Sequence, residues 1–155
     1  MGRIDFYLEM IQYTPEDLQD FHSVVGAVIF NEKREILMMD HVKLNFWTIP
    51  IGKAKPSETV EEGLLTEVKE ELDIIPKQFK EISIFKKTYS RWGRSIHTTG
   101  HLFLIESYKG KIKNNEPHKH RSIKFMSLEQ IKKLLKISDM TKEMVKQIVK
   151  GNISV

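Results

Sequence analysis

No cysteine occurs among the 155 residues. That absence excludes a disulfide framework, a thiolate metal site and a cysteine nucleophile, so any metal must sit on oxygen or imidazole. No apolar run approaches the roughly 20 residues that a bilayer-spanning helix needs. The N-terminal residues Met1-Gly2-Arg3-Ile4-Asp5-Phe6 lack the apolar stretch of a secretory signal. The expectation is a cytoplasmic protein without a membrane segment. Glycine (8) and proline (5) are sparse, and no repeat, low-complexity tract or linker interrupts the chain. With 40% hydrophobic and 30% charged residues the composition indicates neither disorder nor a fibre. One domain spanning residues 1–155 is expected, since a chain of this length buries about two thirds of its unfolded surface in a single core.

Lys+Arg 25 against Asp+Glu 21 leaves a net charge of +4, a mild bias that favours phosphate-bearing partners through the long-range field. Its distribution says more. Lys109, Lys111, Lys113, Lys119, Arg121 and Lys124 crowd one stretch, while acids crowd Glu58 to Asp73. A solvated lysine-rich loop is the plain reading of the basic stretch.

Thr14-Pro15-Glu16-Asp17 carries a cap, a first-turn proline and dipole-matched acids, which predicts a short helix before Phe21. The β-branched run from Ser23 to Phe30, turn residues Asn31 to Arg34, and Ile36 to Met39 predict a hairpin with a buried strand. Trp47 to Pro50 reads as a short extended piece, and Gly52 to Ser57 as a loop. Strands are expected over Ile82–Phe85 and Thr98–Glu106, joined across Ser90 to Arg94, and again over Ile123–Met126. Helical spacing recurs over Leu128–Leu135 and Thr141–Val149, with Ser127 and Ser138 or Asp139 as caps.

The most informative element is a helix beginning at Thr59. Thr59 and Glu62 form a capping box, and Val60, Leu64, Leu65, Val68 and Leu72 share an arc about 140° wide. Glu67, Glu70 and Glu71 occupy the neighbouring arc, at the rim of the core. Carboxylates three and four residues apart repel by about 0.2 to 0.5 kcal/mol per pair. A hard divalent cation offsets that repulsion, magnesium preferring carboxylate oxygens and bridging readily to phosphates. A solvated acidic face is the alternative on spacing alone.

Gly52, Glu58, Glu67, Val68, Glu70, Glu71 and Ile74 also fall on a known pattern. The stretch from Gly52 to Ile74, GKAKPSETVEEGLLTEVKEELDI, resembles the Nudix box, G-x5-E-x7-R-E-U-x-E-E-x-G-U with U a bulky aliphatic. The flanking segments also look like the family's, so the resemblance covers most of the chain, although only the box is specific. It implies an α/β fold of the Nudix kind, a mixed sheet sandwiched between helices. It further implies hydrolysis of a nucleoside diphosphate derivative with magnesium, or manganese in its place, by a MutT-like enzyme acting as monomer or homodimer. By that resemblance Glu67, Glu70 and Glu71 are catalytic and bind the metal, with the Ile51 carbonyl as a further ligand. Glu67 is the first choice of general base and Glu70 the second. Gly52 and Glu58 complete the motif, Glu58 in a structural or outer role. Lys53, Arg91 and Arg94 are candidates for holding phosphate, against ordinary loop chemistry. Nucleic acid is not an expected partner, except as a 5′ end.

Two box positions depart from the pattern. Thr66 stands where the family usually has an arginine that holds a box glutamate, and Asp73 where glycine ends the helix. Outside the box, many relatives carry an acid shortly before the last strand; here only Glu116 is near. These departures keep open a second reading, a Nudix-like module that binds a nucleotide or ADP-ribose without turnover. An isoprenoid diphosphate isomerase of related fold fits poorly, since such enzymes usually need a catalytic cysteine. Phe46 and Trp47 are read as core in preference to a base platform. His97 and His101 are read as packing or surface residues. His118-Lys119-His120 is weak as a metal motif, and a protonated His120 beside phosphate is a minor alternative.

Overall fold

In a computed structural model of the chain, which describes residues 21–91 and 93–155, strand β1 (Phe21–Ile29) runs through the middle of the molecule. Val25 to Ile29 are all buried. Val25, Ala27 and Ile29 enter one apolar cluster, while Val24 and Val28 pack into another. A strand covered on both faces reads as a continuous apolar run, which is the pattern found in the sequence. The helix expected from Thr14 lies outside the described residues.

Among the described residues, seven strands form two sheets. The first has the order β4-β1-β6-β5, and the second β3-β2-β7. Here β2 is Ile36–His41, β3 Phe46–Thr48, β4 Ile51–Ala54, β5 Ile75–Arg91, β6 Arg94–Lys109 and β7 His120–Met126. β1 and β6 are parallel and the other pairs antiparallel. Helix α1 (Val60–Leu72) supplies Leu64, Val68 and Leu72 to the first cluster. α2 (Leu128–Lys132) and α3 (Asp139–Val149) supply Ile131, Met140, Met144 and Ile148 to the second, against the other face of β1. The result is the expected sandwich of strands between helices, with the strands divided between two sheets.

Three local expectations change. β1 and β2 do not form a hairpin: they meet at the isolated bridge Phe30–Ile36 and then separate into different sheets. β1 pairs along its whole length with β6, and β2 pairs with β3 and β7, so distant partners prevail over the nearest one. The segment after Pro50 is a strand where a loop was expected, Ile51–Ala54 pairing with Gly26–Ser23 of β1. The third change is length. β5 and β6 extend far beyond Ile82–Phe85 and Thr98–Glu106, with bulges near Pro76, Gln78 and Glu81. Lysines and bulges suit β5 as an edge strand, and they masked its strand character in the sequence.

Candidate active site

α1 is fixed at both ends. The Thr59 hydroxyl accepts from the Glu62 N–H at 3.1 Å, and the Glu62 carboxylate accepts from the Thr59 N–H at 3.2 Å, completing the expected capping box. At the other end, Asp73 takes the left-handed conformation (φ 59°) that the motif normally gives to glycine. Each of the last four helical carbonyls has a donor. Asp73 N–H donates to Lys69, the Asn115 side-chain amide to Glu70, the Asn115 N–H to Glu71 and the Lys113 N–H to Leu72, at 2.9–3.2 Å. The strap 113–115 thus secures the turn that carries the glutamates and leads directly to Glu116.

The three glutamates have different surroundings. Glu71 is 4% exposed, and its Oε2 has no hydrogen-bond partner among the described residues. Burial pushes its carboxyl well above the usual range, with Glu67 and Glu116 adding to the effect. Glu67 is half-buried, and burial followed by the charge of Glu70 raises its pKa to about 7. Its carboxyl lies over the backbone of Gly52, where an added Cβ would come within 2.2 Å of it. A side chain at position 52 would therefore displace the Glu67 carboxyl. Glu70 is exposed.

Thr66 has its own partner. Its hydroxyl donates to Glu58 Oε2 at 2.9 Å, and the Lys55 N–H donates to Glu58 Oε1 at 2.9 Å. The Lys55 N–H, helped by Thr66, holds the Glu58 carboxyl below the usual carboxylate range. The threonine therefore ties α1 to the loop before it.

Glu67 and Glu71 open onto a cavity of about 630 Å³ that also includes Ile51, Gly52 and Lys53 in its lining. The described lining of this cavity extends along the β5–β6 hairpin to Lys87 and Tyr89 and does not include Glu70 or Arg94. Arg91 and Arg94 pair with each other by backbone at the hairpin end. Phe46, expected in the core, lines the cavity; Trp47 packs against the second cluster. His97 bonds Thr88 and stacks on Phe21, and His101 bonds Glu81, so the two do not share a ligand. His120 is buried against His41, and burial lowers its pKa to about 4, which works against a protonated imidazole there.

Several cavity residues escaped the sequence reading, among them Lys119, Lys43, His41, Phe85 and Met140. The basic stretch was visible, but its division was not. Lys119 reaches the cavity, whereas Lys109, Lys111 and Lys113 line a separate groove of about 580 Å³ beside Lys69 and Asp73. Glu116 faces Glu67 and Glu71 closely enough to raise both their pKa values, and its Oε1 is buried without a partner among the described residues. Lys119 pairs with its other oxygen at 3.3 Å.

The donor set fits a hard divalent cation: two buried carboxylate oxygens lack partners, and neighbouring acids repel one another. Among the described residues no three His, Asp or Glu side chains are already closed around one point. Glu67, Glu71 and Glu116 form an open acidic wall, with Lys119 as its counter-charge.

Comparison with known proteins identifies relatives and the family of the fold. The 8-oxo-dGDP phosphatase NUDT18 of Danio rerio is 34% identical over 93 residues, 58% of this chain and 26% of that protein. The RNA pyrophosphohydrolase of a Marinomonas strain is 36% identical over 66 residues, 43% of this chain and 41% of that protein. The matches thus span less than half the length of either curated relative. The crystal structure of a MutT NUDIX hydrolase from Burkholderia pseudomallei superposes with a TM-score of 0.71 at 21% identity, covering 84% of this chain and 99% of that one, and supports the fold. No helix among the described residues is long and apolar enough to cross a membrane. The NUDIX domain profile matches residues 20–148, which span both sheets, α1 and the cavity wall, and the chain belongs to the NUDIX domain family.

Proposed function

We propose that this chain hydrolyses a diphosphate linkage in a nucleoside diphosphate derivative in the presence of magnesium, with manganese able to replace it. The observation that carries the reading is the placement of Glu67 and Glu71, one half-buried and one buried, on the wall of a cavity of about 630 Å³. That volume lies in the range of small-molecule sites, roughly 300–1,000 Å³. In this reading Glu67, Glu70 and Glu71 hold the cation, and the Ile51 carbonyl is a further donor. When bound, the ion supplies neutralisation of phosphate charge and a lowered pKa for water at the site. Glu67 takes the proton of the attacking water, being the half-buried carboxylate that faces the cavity. Glu70 is the second candidate for that role. Gly52 leaves room for Glu67, and Glu58 holds the loop before α1. Lys53 contacts phosphate from the cavity wall, while Arg91 and Arg94 act from the end of the hairpin. The setting is cytoplasmic, with the chain as monomer or homodimer.

The test is a panel of nucleoside triphosphates, 8-oxo-dGDP, ADP-ribose, dinucleoside polyphosphates and 5′-triphosphorylated RNA, assayed for release of phosphate or nucleotide with each metal. Magnesium-dependent release is expected, abolished in Glu71→Gln and Glu70→Gln while cooperative melting persists. A wild type that binds one of these compounds and turns over none supports the module without turnover instead.

A further inference from the structure

Lys119 combines a fixed backbone with a movable head. Its N–H donates to the Glu116 carbonyl at 2.9 Å, and its own carbonyl accepts from Val42 N–H at 2.8 Å. The side chain is 49% exposed, lines the cavity and places its ammonium 3.3 Å from Glu116 Oε2. Partial burial works against the charge, but Glu116, Glu67 and Glu71 outweigh it and raise the lysine's pKa. In the absence of a divalent ion, this ammonium offsets the repulsion among the three carboxylates. It satisfies Glu116 incompletely, since Oε1 remains without a partner among the described residues.

An ammonium is a strongly hydrated point charge on a flexible four-carbon stem, so a half-exposed lysine can leave one carboxylate for another anion. A divalent cation competes for the same oxygens with twice the charge. We infer that Lys119 is an exchangeable counter-ion, which neutralises the acidic wall of the free protein and, once a divalent ion takes that wall, turns its ammonium to the substrate's phosphate. The inference rests on the functional reading above and deepens it by giving one residue two successive partners. The backbone anchors keep the stem at the cavity wall throughout, so the head need only rotate away from Glu116. Lysine is a common phosphate ligand.

Two binding measurements on Lys119→Met, with Lys119→Gln as a second variant should the first fold poorly, test this without turnover. Manganese binding to the substrate-free protein, followed by the spin resonance of the free ion, should tighten about three- to fivefold, because a competing ammonium worth a modest ion pair is removed. Inorganic pyrophosphate binding at saturating magnesium, measured by calorimetry, should weaken roughly tenfold, because a charge-assisted hydrogen bond is lost. Lys119→Arg should retain most of the pyrophosphate affinity. Effects of opposite sign on the two ligands support the exchange; a merely structural lysine weakens both or neither, and either result overturns it. A wild type that binds manganese and turns over nucleotide but gives unchanged values in the variants sinks this inference alone. A wild type that binds neither manganese nor pyrophosphate sinks the functional reading and the inference together.

Discussion

Replacing Glu67 by glutamine should make the metal-free protein more stable at pH 8 while removing its activity. In the unfolded chain this carboxyl loses its proton near 4.5, whereas in the native protein it keeps it until about 7. Between those values the native state binds more protons, so stability falls as pH rises through the window and the full penalty is present above about 7. A carboxyl moved from 4.5 to about 7 corresponds to about 3 kcal/mol. Glutamine occupies the same space over Gly52 without the charge and also relieves Glu71, whose pKa is raised in part by Glu67. With water relaxing part of the penalty, a gain of about 1–3 kcal/mol is expected, or roughly 2–12 °C in Tm for a chain of this size. Melting should be followed by scanning fluorimetry in EDTA at pH 5 and pH 8. The gain should appear at pH 8 and shrink at pH 5, and added magnesium should raise the wild-type Tm more than the variant's. An equal or lower Tm for Glu67→Gln at pH 8, or the same difference at both pH values, would refute the reasoning.

Further perturbations address the parts that position the carboxylates. Gly52→Ala places a methyl group 2.2 Å from the Glu67 carboxyl carbon, and the displacement should lower kcat/KM by about 100-fold in steady-state assays, in line with the cost of misplacing a reacting group by 1 Å. Asn115→Ala removes the amide donor from the Glu70 carbonyl; chemical denaturation should show a loss of about 0.5–1.5 kcal/mol, together with a higher magnesium requirement for activity. Thr141→Val removes the acceptor of the buried Ile49 N–H and one member of a hydroxyl chain with Ser138 and Thr48. Urea unfolding should show a loss of about 1–3 kcal/mol, the cost of a buried unsatisfied donor.

The features of α1 could be read in advance because they are local. The Thr59–Glu62 box and the buried stripe of Leu64, Val68 and Leu72 follow from spacing along one helix. Spacing alone did not separate the glutamates, however. A wheel puts Glu67, Glu70 and Glu71 on one arc, whereas packing against β4 and the strap at 113–115 leave Glu71 buried and Glu70 exposed. The choice of strand partners is non-local, so the apolar runs of β1 and β2 suggested a hairpin that tertiary pairing divides between two sheets. β4 was missed for a related reason: Gly52 and Lys53 have little strand preference, and only the open edge of β1 orders them. Lys119 was visible as one lysine among many. What brings it to the acids is the path of the loop, set by Asn115 on α1 and by Val42 on the Lys119 carbonyl.

The proposed function requires the acidic side chains of α1 to hold a divalent cation at the cavity wall. Crystals soaked in manganese and measured at the manganese absorption edge test it most directly. An anomalous peak within coordination distance of Glu71 and Glu67 or Glu70 oxygens is predicted. A peak only at other carboxylates, or none at saturating manganese with Lys119 still paired to Glu116, would contradict the account.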